Sequence, residues 1–274
     1  MSISSDAGLI DDLTSVVSRA AAAVLAARAG ALNPRTKPDQ SPVTAADEAA
    51  EAVILDGLAR LLPGVCVISE EATGRGKAIV PGDEFVLVDP LDGTRELLAG
   101  RDEFTINVAL VRRGFPVLGI VAAPALGTIW RTAAGHRAER LRLAPGAFAG
   151  AAAEIVAIRT RPMPKAGIVA AVSRSHFDPA TEAFLMRFAN VTRLVSGSAI
   201  KFCRVAEGAA DIYPRLAPTC QWDLAAGHAV LAAAGGAVTT PGRSPLIYRP
   251  EIDGLLVPGF VAWGDPAGAA APGL

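Results

Sequence analysis

The amino-acid sequence predicts an α/β fold whose sheet is not purely parallel, and three observations carry that prediction. Apolar residues recur at helical spacing near the N-terminus, short apolar runs of strand type lead into carboxylates, and two further apolar runs flank a polar turn. Helical and strand-like segments then alternate through the second half of the chain. Such a pattern is typical of helices packed against a mixed sheet.

Two helices are predicted at the N-terminal end. The first covers about thirty residues and ends near Gly30, with its apolar positions at Leu9, Leu13, Val16, Val17, Val24 and Leu25. A polar loop over residues 33–42 follows. The segment from Thr44 to Asp47 has the form of a capping box with aspartate in the place of glutamate, so we expect a second helix from Asp47 to the Pro63-Gly64 pair.

The predicted strands place acidic side chains at their ends. The run 65–68 leads into Glu70 and Glu71, and the run 85–88 leads into Asp89. Runs 104–111 and 117–121 flank residues 112–116, which predicts an antiparallel hairpin with a five-residue loop.

The second half is predicted to contain a strand at 169–172 and helices at 179–188 and 222–234. A loop-rich segment over residues 143–150 separates it from the first half. We therefore expect two subdomains, residues 1–145 and residues 146–274.

Bulk composition narrows the class of protein. The 274 residues are 51% hydrophobic and 19% charged, and 26 lysines and arginines nearly cancel 27 aspartates and glutamates. No field of one sign points to nucleic acid or to an acidic membrane surface. Three separated cysteines suggest neither a disulfide framework nor a thiolate zinc site, which fits a reducing cytoplasm. Neither a signal peptide nor a transmembrane segment is expected.

The densest chemical feature is the segment from Asp89 to Thr94, which reads D-P-L-D-G-T. Asp89, the Leu91 carbonyl and Asp92 offer the oxygen ligands that magnesium prefers, and a pair of such ions can hold both oxygens of a phosphoryl transfer. Gly93 and Thr94 then open a short helix whose free N–H groups could receive phosphate oxygens. A phosphate seat beside a metal site is predicted.

Each acidic residue taken alone could have a purely structural role that involves no metal. The D-P-L-D-G-T segment could be an aspartate turn followed by a helix cap, and Glu70 and Asp223 could be solvated turn or cap residues. Lys201 and Arg215 could likewise be surface charges. The coincidence of several acids at element ends favours the metal site.

Taken together, these motifs resemble the signatures of the inositol monophosphatase superfamily, the lithium-sensitive phosphatases. They are V-T-A-A-D ending at Asp47, S-E-E with Glu70, D-P-L-D-G-T, and W-D-L-A-A-G with Asp223, and the resemblance spans roughly residues 8–260. It implies a layered αβαβα sandwich and two or three Mg²⁺ ions. The implied metal ligands are Glu70, Asp89, the Leu91 carbonyl, Asp92 and Asp223. The implied catalytic residues are Asp47, Thr94 and Glu70, the first two acting on the attacking water.

The second half resembles the 3′(2′),5′-bisphosphate nucleotidases of the CysQ type within that superfamily. The matching segments are S-R-S-H at 173–176, G-S-A-I-K-F-C at 197–203, A-E-G-A-A at 206–210 and Y-P-R at 213–215. The resemblance implies substrate contacts from Gly93, Thr94, His176, Ser198, Lys201, Arg215 and Asp223. Arginine and lysine suit phosphate as a fork and a point charge. One departure is Ala199, where that branch usually has a second serine.

The implied activity is hydrolysis of adenosine 3′,5′-bisphosphate to AMP and phosphate, a reaction linked to sulfate assimilation. An inositol or fructose phosphate phosphatase with the same metal core is the alternative enzyme, and a non-catalytic phosphate or metal sensor is the alternative of another class. The resemblance implies a cytoplasmic protein, and it is compatible with a homodimer and with a peripheral position at the inner face of the membrane.

Overall fold

The computed structural model describes residues 7–37, 40–73, 81–175, 178–249 and 255–270. Its helices and sheets stack in five layers, in the order helix pair, seven-stranded sheet, helix pair, five-stranded sheet and outer helices. The predicted αβαβα sandwich is thereby confirmed.

The outer helix pair consists of α1 (Ala7–Ala29) and α2 (Ala45–Leu61). A two-stranded ribbon of β1 (Arg35–Thr36) and β2 (Pro42–Val43) joins them. The predicted capping box is present, with Thr44 as the N-cap, and the helix begins two residues before Asp47 because Ala45 and Ala46 already have helical backbone. A methyl group on Gly57 would come within 2.5 Å of Val16, so glycine allows the two helices to cross closely.

The first sheet has seven strands, which are β3 (Cys66–Ser69), β4 (Glu84–Asp92), β5 (Thr105–Arg112), β6 (Phe115–Ala123), β7 (Thr128–Ala133), β8 (Arg137–Arg142) and β9 (Glu154–Ile158). They are hydrogen-bonded in sequence order. The β3–β4 pair is parallel and the other pairs are antiparallel, so the sheet is mixed as predicted. Short helices α3 (Glu70–Thr73) and α4 (Thr94–Leu98) follow β3 and β4.

The hairpin between β5 and β6 is tighter than the sequence predicts. Pairing continues to Arg112 and Phe115, so the turn contains Arg113 and Gly114 rather than five residues. Both have positive φ angles, 51° and 80°, which is the backbone of a two-residue hairpin turn whose twist matches its strands. The arginine pair and Pro116 suggested a longer loop, but a bulge between Leu110 and Val111 accommodates the proline.

The second sheet contains β10 (Val169–Ser173), β11 (Thr192–Ser196), β12 (Ile212–Arg215), β14 (Ala237–Thr239) and β16 (Phe260–Trp263). Its strand order is β11-β10-β12-β16-β14. A separate ribbon pairs β13 (Thr219–Cys220) with β15 (Leu256–Val257). The helices of this half are α5 (Pro179–Leu185), α6 (Ile200–Ala206), α7 (Gln221–Ala233) and α8 (Pro266–Ala270).

Helix α7 lies in the middle layer together with α6. Its buried residues share one apolar cluster with the first sheet on one side and the second sheet on the other. A methyl group on Gly119 of β6 would come within 2.3 Å of the Ala226 carbonyl oxygen, so α7 lies directly on that strand. The two sheets are therefore joined through a shared helix layer.

The predicted elements of the second half correspond to β10, α5 and α7, with α5 ending at Leu185 rather than at residue 188. The division into subdomains at residue 145 stays a prediction. Strand β9 completes the first sheet as far as Ile158. Within the described ranges, no helix has both the length and the apolar character needed to cross a membrane.

Candidate active site

The D-P-L-D-G-T segment closes strand β4. Pairing with β5 is regular as far as Asp89 and shifts between Asp89 and Asp92, so the strand bulges over the intervening proline and leucine. Asp89 is buried, and its Oδ1 accepts the N–H of Leu91 at 3.0 Å. Gly93 has φ 95°, and a Cβ there would come within 3.3 Å of Phe104. Glycine is thus required between the second aspartate and α4.

Asp47 and Thr94 meet at the start of two helices. Asp47 is the third residue of α2, and its Oδ2 accepts both the backbone N–H and the hydroxyl of Thr44, each at 2.7 Å. Its Oδ1 lies 3.0 Å from the Thr94 hydroxyl oxygen, which also lies 3.2 Å from the Leu91 carbonyl. Burial raises the pKa of Asp47, and the hydrogen bonds from Thr44 and Thr94 oppose that rise.

Glu70 and Asp223 lie at the ends of other elements. Glu70 is the first residue of α3, and its carboxylate accepts Lys37 Nζ at 2.7 Å. Asp223 lies in the first turn of α7, where its Oδ2 accepts the Thr219 hydroxyl and the backbone N–H of Cys220 at 3.2 Å. Both side chains are far from the β4 segment in sequence, and the fold brings them to it.

The carboxylates of the site interact electrostatically with one another, and we call the four of them the carboxylate cluster: Glu70, Asp89, Asp92 and Asp223. Burial, followed by the charge of Glu70, Asp92 and Asp223, raises the pKa of Asp89 well above its ordinary value. Burial raises the pKa of Glu70 to about 7 against the opposing effect of Lys37. Burial, with the charge of Asp92, raises the pKa of Asp223 to about 6. Mutual repulsion of buried anions is relieved by a cation, so the cluster suits one.

Hydrogen bonds from other side chains engage three of these four carboxylates. Among the described residues, no three Asp, Glu, His or Cys side chains are gathered closely enough to hold an ion as they stand. Lys37 holds Glu70, the Ser198 hydroxyl lies 2.7 Å from Asp92 Oδ2, and Thr219 holds Asp223. Side-chain rotation would be needed to bring the carboxylates onto one ion. The donor set nevertheless fits magnesium, because every member is an oxygen ligand.

A cavity of about 210 Å³ opens over this cluster. All the predicted metal ligands line it, namely Glu70, Asp89, Leu91, Asp92 and Asp223. The described residues predicted to touch substrate line it too, namely Gly93, Thr94, Ser198, Lys201 and Arg215. Asp47 lies behind Thr94, and His176 lies outside the described residues. The fold therefore gathers residues from both halves of the chain.

Lys201 and Arg215 differ in how their charges are engaged. Lys201 is 2% exposed, its Nζ donates to the Ser198 and Ser196 carbonyls, and it lies 5.2 Å from the centre of the Tyr213 ring. Burial lowers the pKa of Lys201 to about 8. Arg215 is half-buried at the end of β12, and its Nη2 donates to the Pro218 carbonyl at 3.4 Å. The Tyr213 side chain also hydrogen-bonds to Arg215, so the protein already engages both cations.

Ser198 connects the two halves of the site. It has φ 52°, and its hydroxyl lies close to Thr105 and to both the carboxylate and the carbonyl oxygen of Asp92. A left-handed backbone is costly for serine, and such strain is often found at functional sites. Ala199, in the place of a usual serine, is buried and brings a methyl group rather than a hydroxyl to the cavity wall.

Sequence reasoning missed Lys37 and Glu96. Lys37 bridges Glu70 and Glu71, and the sequence offered only a polar loop there. Glu96 lines the cavity and accepts the Ser175 hydroxyl, although its helix is only five residues long.

Comparison with known proteins defines the class. The sequence profile of the Inositol monophosphatase family matches residues 9–262, so the chain belongs to that family and the resemblance is confirmed. The 3′(2′),5′-bisphosphate nucleotidase CysQ of Escherichia coli K12 is 41% identical over 225 residues, which are 82% of this chain and 86% of that protein.

A second curated protein and a crystal structure show the same similarity to CysQ proteins. The CysQ nucleotidase of Buchnera aphidicola is 36% identical over 210 residues, 76% of this chain and 75% of its own. The crystal structure of CysQ from Bacteroides thetaiotaomicron, described as a bacterial member of the inositol monophosphatase family, superposes with a TM-score of 0.75 at 33% identity. That match covers 96% of this chain and 98% of the other. The chain thus belongs to a family of phosphatases, and the two curated relatives above are named 3′(2′),5′-bisphosphate nucleotidases.

Proposed function

We propose that this protein is a 3′(2′),5′-bisphosphate nucleotidase that hydrolyses adenosine 3′,5′-bisphosphate to AMP and phosphate. The observation that carries the proposal is the shared cavity, in which a buried carboxylate cluster faces Arg215 and Lys201. The cluster suits the reacting phosphate with its metal, and the cations suit a second phosphate. Similarity to the CysQ nucleotidases supports the same substrate class.

Mg²⁺ is the cofactor we propose, held by Glu70, Asp89, the Leu91 carbonyl, Asp92 and Asp223. Two or three bound ions would supply Lewis acidity to the phosphoryl oxygens and charge stabilisation in the transition state. The all-oxygen donor set favours a hard cation over zinc, and the repulsion among the buried carboxylates favours binding of a cation. Binding would draw Glu70 from Lys37 and Asp92 from Ser198, since both carboxylates are hydrogen-bonded there.

Asp47 and Thr94 are proposed to remove the proton of the attacking water. The Thr94 hydroxyl, 3.0 Å from Asp47 Oδ1, donates its proton to the carboxylate and accepts one from water. The water oxygen then bonds to phosphorus while the bond from phosphorus to the 3′ oxygen breaks. The departing 3′ oxygen takes a proton from solvent. Thr94 then carries the proton of the water, and Asp47 releases the proton it took from Thr94 before the next turnover.

The reacting phosphate is placed against Gly93 and Thr94, beside the carboxylates. Arg215 is proposed to hold the 5′-phosphate, because its guanidinium is half-buried and lines the same cavity. Lys201 contributes charge from within the wall, where two carbonyls already hold its ammonium group. Ser198, with its hydroxyl at the junction of the two regions, is proposed to contact the substrate between the phosphates. The predicted His176 contact stays a prediction.

A phosphate-release assay tests the proposal against its alternatives. Adenosine 3′,5′-bisphosphate, inositol monophosphate and fructose 1,6-bisphosphate are each supplied with Mg²⁺ and with a chelator. We expect the highest kcat/KM for the adenosine bisphosphate and no release with the chelator. Preference for inositol or fructose phosphate would favour the alternative enzyme. No release from any of the three would favour the non-catalytic sensor.

A further inference from the structure

Asn107 is a buried polar residue with no evident role in the proposed site. It lies in the middle of β5 and is 1% exposed. Among the residues that the structure describes, neither its Nδ2 nor its Oδ1 has a hydrogen-bond partner. Leaving a buried amide unpaired is costly, so a native protein that keeps one in its interior gives it a partner in some functional state.

The sheet register places this amide beside a predicted metal ligand. Asn107 pairs directly with Asp89 across β4 and β5, at the last regular position before the bulge. Directly opposed residues point to the same face of a sheet with Cβ atoms about 4.5–5.5 Å apart. The Asn107 amide is therefore within reach of the Asp89 carboxylate, one of whose oxygens accepts the Leu91 N–H.

Apart from Asp89, most described neighbours of Asn107 on this face of the sheet are apolar and offer no side-chain hydrogen-bond partner. The same face of the sheet carries Leu87, Ala109 and Val121, which are buried in the apolar cluster that includes α7. A neutral amide at this place has a specific advantage. It can donate to a carboxylate without adding a positive charge that would compete with a cation, and without adding a further negative charge to the cluster.

We propose that Asn107 is a positioning residue for Asp89, with its Nδ2 donating to the Asp89 carboxylate when that carboxylate holds a metal ion. The inference rests on the metal site of the proposed function. Carboxylates that bind metals are themselves held by hydrogen bonds, and loss of such a bond typically weakens metal affinity 10–100-fold, which is about the effect expected here. Among the described residues, the Asn107 amide has no hydrogen-bond partner and lies opposite Asp89 in the sheet.

The test uses Mn²⁺ as a probe, with no substrate present. Free Mn²⁺ is measured by electron paramagnetic resonance in titrations of the wild type and of Asn107→Leu, which has nearly the same shape and no polar atoms. We expect the dissociation constant to rise about 10–100-fold. The melting temperature in a chelator should be equal to or above that of the wild type, because two unpaired buried atoms have been removed.

Val121→Ala is the matched control. Val121 pairs with Asn107 on the other side and faces the same helix, but it is apolar. We expect it to lower the melting temperature and leave the Mn²⁺ dissociation constant unchanged. If Asn107→Leu does not fold, the same titration is made with Asn107→Ala, which adds no atoms to the core.

The outcomes separate the two proposals. A wild type that binds no Mn²⁺ would overturn the metal site and this inference with it. A wild type that binds Mn²⁺ and an Asn107→Leu protein that binds it equally well would overturn the role of Asn107 alone. A lower melting temperature in chelator with unchanged affinity would assign Asn107 to the fold instead.

Discussion

The Thr94 hydroxyl oxygen lies 3.0 Å from Asp47 Oδ1, although the two residues are 47 positions apart in sequence. Asp47 is fixed by its place in the capping box of α2, and Thr94 by the turn at the end of β4. Two helix starts therefore build one hydrogen bond, and the cap that begins α2 also orients the proposed base.

Removing the hydroxyl of Thr94 should stop the transfer of the water proton. We expect Thr94→Val to lower kcat by about 10²–10⁴-fold, the usual contribution of a positioned general base. Thr94→Ser keeps the hydroxyl and should retain most of the activity. Steady-state kinetics at saturating Mg²⁺ make the comparison. A larger loss in Thr94→Ser than in Thr94→Val would show that the methyl group, and so the packing of α4, matters rather than the proton path.

Asp92→Asn should lower turnover by at least about 10²-fold, because stabilisation through a bound metal is worth several kcal/mol. The fold should persist, and the metal-free protein should unfold at an equal or higher temperature because one charge leaves a repelling cluster. Asp102→Asn makes the same chemical change at an exposed ion pair with Arg28 and should leave turnover near that of the wild type. Near-full activity of Asp92→Asn at high Mg²⁺ would remove Asp92 from the ligand set.

Arg215→Ala should separate bisphosphate from monophosphate substrates. Loss of a charge-assisted hydrogen bond costs about 1.5–3 kcal/mol, so kcat/KM for adenosine 3′,5′-bisphosphate should fall about 10–150-fold. Inositol monophosphate has no second phosphate, so its kcat/KM should change much less. Arg193→Ala, which removes a more exposed arginine paired with Glu182, serves as the control. The same loss on both substrates would mean that Arg215 supports the fold or the metal ligands.

His228 predicts a pH dependence of stability that is separate from catalysis. The ring is buried, its Nδ1 lies 3.1 Å from the Tyr248 hydroxyl, and burial lowers its pKa from 6.5 to about 4. Between pH 6.5 and about pH 4, the histidine of the unfolded chain binds a proton more readily than the buried ring does. The free energy of unfolding must therefore fall as the pH falls through this range. The loss amounts to about 3 kcal/mol once the pH is below both values.

Urea unfolding of the wild type and of His228→Gln, measured in chelator from pH 7 to pH 4, tests this. The free energy of unfolding of the wild type minus that of His228→Gln should fall as the pH falls. Only the wild type has the buried histidine, whose protonation favours the unfolded chain. The acidic cluster titrates in both proteins and cancels in the comparison. Parallel curves would show that the His228 pKa is not lowered in the folded state.

Much of the site could be predicted because the sequence places its chemistry in contiguous motifs. The D-P-L-D-G-T segment contains two proposed metal ligands, a proposed carbonyl ligand and the start of α4, and the capping box can be recognised from four residues. The family resemblance supplied the rest of the proposed ligand set and the order of the layers. The predicted length of the β5–β6 turn was wrong, because the bulge that accommodates Pro116 has no recognisable pattern in the sequence.

Contacts between distant residues could not be predicted. Nothing in the sequence pairs Lys37 with Glu70 or shows that the Lys201 ammonium bonds to carbonyls of its own turn. The register of β4 against β5 decides that Asn107 faces Asp89, and a shift of one residue would turn its side chain to the other face. Such facts follow from packing in three dimensions and not from local preference.

Helix α7 has a consequence for how the chain folds. Ten of its thirteen residues are buried, and they lie between two sheets that come from opposite halves of the sequence. Gly227 lies so close to Phe202 of α6 that an added methyl group would come within 2.6 Å of the ring. An element with apolar surroundings on both sides cannot be covered by either half alone. A chain truncated after the first sheet would therefore expose a wide apolar sheet face, and we expect it to aggregate rather than to persist as an independent fragment.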